Sequence, residues 1–129
     1  MQKCHLTIRT TADGQASEIA REGEMELYAC GAKLSYREDD ALITMLFDGE
    51  RVKIDREGDY VLRLLLVRNR LQKGALGFGG AEGEVETFAH KIAYAVTEKA
   101  LTAQLHYDLV FGAEKQQMLL HISAHFDNT

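Results

Sequence analysis

A chain of 129 residues, 46% hydrophobic and 27% charged, has room for one domain with its own core; that balance excludes a disordered tail, a collagen-like repeat and a charge-rich linker. Fifteen Lys and Arg against twenty Asp and Glu leave a net charge of -5, which argues against a nucleic-acid partner held through its phosphates. The longest apolar run, around Leu64 to Val67, is about four to five residues against the roughly 20 of a membrane helix, so no membrane partner is expected.

The first segment, Gln2 to Ile8, alternates and lacks the apolar stretch of a secretion signal, so it reads as a strand of the mature protein. Two cysteines, Cys4 and Cys30, are too few for a disulfide scaffold, and both are expected reduced in the cytoplasm. Neither Pro nor Trp occurs, and no Ser-rich or Gln-rich tract marks a linker. The whole chain, 1–129, therefore reads as a single domain.

Period-two patterning recurs along the chain: in Leu6 to Thr10, at Val52 and Ile54, from Leu101 through Ala103, Leu105 and Tyr107 to Leu109, and at Met118, Leu120 and Ile122. Turn signals lie between, at Asp13-Gly14, Glu38-Asp39-Asp40, Asp48-Gly49, Glu57-Gly58-Asp59, Gly79-Gly80 and Gly112. Together they predict about eight to ten strands, near 3–11, 24–37, 41–47, 51–56, 60–68, 72–78, 84–97, 100–111 and 117–126. An open sheet of that size leaves long unpaired edges. The expected fold is therefore all-β, a closed antiparallel up-and-down barrel, with a two-sheet sandwich as the alternative. Val61 to Val67 is apolar on both parities apart from Arg63, and Ala41 to Phe47 nearly so. Such strands want cover on both sides, which predicts an outer helix or a homodimer through the 60–68 strand with Arg68 and Arg70 as its rim.

Four stretches in order, Tyr36-Arg37-Glu38, Ile54-Asp55-Arg56-Glu57-Gly58, a glycine-bearing turn ending at Gly83, and Leu105-His106-Tyr107-Asp108-Leu109, resemble the YwiB-like family of uncharacterised bacterial proteins. The resemblance spans roughly residues 34 to 122 and rests on the order and spacing of these short motifs. It implies a barrel similar to those of lipocalins and other calycins, and no established activity. The turn Phe78 to Gly83 departs from the family pattern, in which a Tyr and often a Pro stand nearby.

Strand parity nominates a site. Tyr36 and Glu38 share a face with Leu34, Arg56 with Val52 and Ile54, Tyr107 with Leu105 and Leu109, and His90 with Phe88, Ile92 and Tyr94. A carboxylate or guanidinium on an apolar face is costly alone, so Glu38 and Arg56 are expected to pair, with the two tyrosines and His90 completing either a plug or a ligand-binding cluster. Other signals are weaker. His121 and His125, four apart on a strand, stand roughly 13 Å apart and on the polar parity, so no metal is expected. Gly77 to Gly83 lacks the Lys-Ser/Thr ending of a phosphate loop and reads as a hairpin turn. The acid-free stretch from Tyr60 to Ala81, with Arg63, Arg68, Arg70 and Lys73, reads mainly as a solvated face.

No nucleophile with a base can be assembled, so no catalytic residue and no cofactor are assigned. The expected function is a non-catalytic barrel for a small apolar or amphipathic ligand, bound by Tyr36, Glu38, Arg56, His90 and Tyr107. The alternative is an interaction or assembly module with a filled core and a functional outer surface.

Overall fold

A computed structural model describes residues 2–127. Every element in it is a strand: β1 Gln2–Ala12, β2 Gln15–Tyr28, β3 Gly31–Glu38, β4 Ala41–Asp48, β5 Arg51–Glu57, β6 Tyr60–Val67, β7 Leu71–Phe78, β8 Ala81–Val96, β9 Ala100–Phe111 and β10 Glu114–Phe126. Each pairs antiparallel with its neighbours in sequence, and β1 closes the sheet on β10. The expected all-β up-and-down barrel is what forms. Closure removes most of the sheet edge that ten strands in a row would otherwise carry, leaving the start of β2 paired on one side only.

The turns follow the predicted chemistry. Asp13 and Gly14 both take positive φ (49° and 85°), the conformation that suits the right-handed twist of a hairpin. The segment expected as one strand over 24–37 is instead split by a turn at Ala29 and Cys30, and β2 begins at Gln15. Neither turn residue is Gly, Asn, Asp or Pro, so this turn carries no local signal.

Inward residues form rows across β3, β4, β5 and β6 that grade from apolar to polar along the barrel. Ala32, Phe47, Val52 and Leu66 make one row, and Leu34, Met45, Ile54 and Leu64 the next. Tyr36, Ile43, Arg56 and Leu62 make the third, which defines the mouth. Residues of the first two rows are buried, Phe47 at 1% exposure. At the opposite end from the mouth, Tyr94 rests against Phe47 with ring centroids 5.2 Å apart. Its hydroxyl donates to the carbonyl of Gly49 at 2.8 Å, which fastens β8 to the β4–β5 turn.

Strand β6 shows both of its faces apolar, as expected, with Leu62, Leu64 and Leu66 inward and Val61, Leu65 and Val67 outward. No helix covers the outward set, and the expectation of one is corrected. Those three are only partly exposed, and Glu57, Lys53 and Arg51 stand directly across from them on β5. The β6–β7 ladder stops at Arg63 and Ala75, and beyond it the buried Thr87 of β8 donates its hydroxyl to the Leu65 carbonyl at 2.6 Å. The basic residues of this region are mostly engaged, Arg63 with Glu57, Arg68 with Glu50 and Lys73 with Glu84.

Candidate functional site at the barrel mouth

Tyr36 and Tyr107 are buried and inward, as parity predicts. Burial pushes both hydroxyls above the ordinary phenol range; at Tyr36 the neighbouring Glu38 carboxylate adds to this and Arg21 opposes it. A phenol whose value is raised by folding contributes stability that is whole below its unfolded value, about pH 10, and is lost as pH rises from there toward the folded value. Near-ultraviolet titration should therefore show tyrosinate forming in two stages, the second together with unfolding. A single stage in folded protein would mean these hydroxyls are solvated.

The expected Glu38–Arg56 ion pair does not form. Arg56 turns instead to its own hairpin, donating to Asp59 at 2.9 Å and to the Tyr60 carbonyl at 2.8 Å. Its guanidinium also lies 3.7 Å above the Tyr60 ring. A partner three residues away with aromatic cover is reached at less conformational cost than a carboxylate two strands off. Glu38 stays half-buried near the mouth, close enough for its charge to act on both Tyr36 and Arg56.

His90 is not an interior residue. The β8–β9 register slips between Ala89 and Lys91, and His90 is the extra residue of this bulge. Alternation before the bulge puts Val85, Thr87 and Ala89 inside, and alternation after it puts Ile92 and Tyr94 inward, so Phe88 and His90 face outward. There His90 Nε2 lies 2.8 Å from Asp108 Oδ2, between the rings of Phe88 and His106. Asp108 is only 5% exposed; burial raises its carboxyl, but the His90 bond and Lys115 at 3.4 Å outweigh this and hold it below its ordinary range. Among the described residues no cluster of His, Cys, Asp and Glu has the geometry to hold a metal ion.

Sequence reasoning missed the seam beside Tyr36. Strand β2 pairs with β3 only from Gly23 to Tyr28, and beyond Gly23 the two strands part. A cleft of about 520 Å³ opens there, with Cys4, Gly23 and Tyr36 from the wall and interior and His5, Arg37 and Leu42 around it. A side chain at position 23 would sit 2.4 Å from the Ser35 carbonyl and 2.9 Å from Leu6, so glycine is what lets the strands approach before they diverge. A glycine inside an alternating segment was the available signal.

No helix among the described residues is long and apolar enough to cross a membrane. A search among curated proteins finds no match. Among solved structures, the crystal structure of the ywiB protein from Bacillus subtilis superposes with a TM-score of 0.85 at 16% identity, covering 98% of this chain and 93% of that one; at that identity the likeness shows the fold. The model of a family described as a domain of unknown function, DUF1934, matches residues 3–121. With the motifs quoted above and the shared barrel, the chain belongs to this YwiB-like family.

Proposed function

We propose that this protein is a non-catalytic barrel that holds a small amphipathic ligand in the cleft between β2 and β3, with Tyr36 at its floor. The observation that carries this reading is the cleft itself: about 520 Å³ falls within the range of small-molecule sites, and it joins apolar Leu42 to the cationic Lys3 and Arg37 and the carboxylates of Glu22, Glu24 and Asp127. Tyr36 belongs to both the cleft and the mouth, so Glu38 and Tyr107 act on the ligand through its surroundings, while Arg56 fixes the neighbouring hairpin. Apart from Arg21 and Arg56, the charged side chains of β1, β2 and β5 face out while the two buried rows are apolar, which supports an aqueous setting. Cys4 and the exposed Cys30 are free thiols, in keeping with the cytoplasm.

The test uses 6-propionyl-2-dimethylaminonaphthalene, a small uncharged amphipathic dye that fluoresces in apolar surroundings and is not repelled by the carboxylates of the cleft. Saturable binding to the folded protein is expected, and Leu42→Trp, which fills the cleft from its rim, should weaken it at least tenfold without unfolding the barrel. Failure of the wild type to bind, or unchanged affinity in the variant, removes the reading.

A further inference from the structure

The β1–β2 hairpin extends past the wall beside it. Strand β2 pairs with β1 from Gln15 to Met25, but with β3 only from Gly23 onward. Residues 15–22 thus have a strand on one side only, among the described residues. They are exposed apart from the half-buried Ile19 and Arg21. Alternate backbone N–H and C=O groups of such a segment point away from the paired side, into water.

Folded proteins usually blunt an edge of this kind with Pro, Lys, a bulge, an inward-pointing charge or a covering side chain, and here only Arg21 serves in that way. The chain has no Pro, the segment has no Lys, and its register with β1 runs without a shift. The contrast with β8 is informative. Past its last pairing with β7 at Phe88, that strand is tied down: the Asn69 N–H bonds to the Ala89 carbonyl, and Tyr94 bonds to Gly49. One departing strand is fastened to its neighbours; on the other, Arg21 covers the Ala20 carbonyl at 3.0 Å and no neighbouring strand takes up the remaining edge groups.

The side chains specify what the open edge accepts. Glu18 and Glu22 point outward, and Glu24 and Glu26 continue the same row, while Ile19 faces inward and the cleft with Leu42 begins where the segment ends. We propose that this edge receives an extended peptide as an added strand, with basic residues beside Glu18 and Glu22 alternating with apolar residues that turn toward Ile19. A second copy of β2 fits poorly. Antiparallel self-pairing centred on Ile19 sets position 15 against Gly23, whose free side Tyr36 already holds, and pairing centred on Glu18 puts like charges directly opposite. The inference goes beyond the small-molecule reading and does not need it, since it rests on backbone groups rather than on the cleft.

To test it, the full chain would be titrated with a short, end-blocked peptide of alternating Lys and Val while backbone amide exchange is followed. Slowed exchange at alternate amides within 15–22 is expected. Glu18→Lys with Glu22→Lys should weaken binding at least tenfold; both positions are exposed, so the fold is retained. A peptide N-methylated at alternate residues should not bind, whereas Leu42→Trp should keep the protection, which separates this result from failure of the cleft. Binding of the N-methylated peptide equal to that of its parent would reveal unspecific attraction between charges, and protection confined to residues around Leu42 would place the peptide in the cleft. Either result, or no protection at all, overturns the proposal.

Discussion

Phe47→Ala is expected to cost about 3–5 kcal/mol, seen as a lower urea midpoint with little change in slope. Phe47 is the largest of the fully buried side chains and sits between Ala32 and Val52 in the most apolar row of the barrel. Its neighbours are held in ladders on both sides, so they cannot move in to fill the space, and cavity cost adds to lost burial. Truncation also removes the ring against which Tyr94 rests, and with it part of the support for the β8 latch. A loss under about 1 kcal/mol would mean that the core at this end is loosely packed.

Gly31→Ala should destabilise by about 3 kcal/mol, at the upper end of what overpacking costs. A Cβ at position 31 would lie 1.8 Å from the Phe47 carbonyl oxygen and 2.8 Å from its carbon. Both are backbone atoms of the paired strand, so no rotamer change relieves the overlap and the β3–β4 ladder must open. Gly77→Ala is the control. The nearest atoms there are the Val61 Cβ at 3.8 Å and the Ala81 carbonyl at 3.9 Å, ordinary contacts, so its melting temperature should stay close to that of the wild type. Equal losses in the two variants would show that the effect is one of strand propensity rather than of close approach.

Where alternation was unbroken, side-chain direction was legible in the residues alone. Leu101 to Leu109, Met118 to Ile122 and Tyr36 all face as parity requires, because a strand with one buried face cannot slip by one residue without exposing its whole core set. The misreadings have local causes. The inward side of β2 carries Arg21 and Gly23 among Ile19, Met25 and Leu27, which hides its apolar period and with it the start of the strand. Parity counted through a bulge that leaves no mark in composition turns His90 inward, whereas the bulge sends it out. Shared parity pairs Arg56 with Glu38, but Asp59 and Tyr60 in the adjoining turn are nearer, and a turn residue has no strand parity to mark it as a partner. The seam cleft arises from how far two ladders run, a property of register that no single segment records.

The bulge also determines where the chain tolerates a change of length. Because His90 is supernumerary to the β8–β9 ladder, a relative lacking one residue at this point would run a regular ladder from Ala89 straight into Lys91, with Ile92, Tyr94 and Val96 still turned inward. Loss of one residue a few positions later, at Ala93, would invert Tyr94 and Val96 and free the β4–β5 turn from its latch. Gaps in an alignment of such chains should therefore gather at position 90 and avoid the positions that follow it.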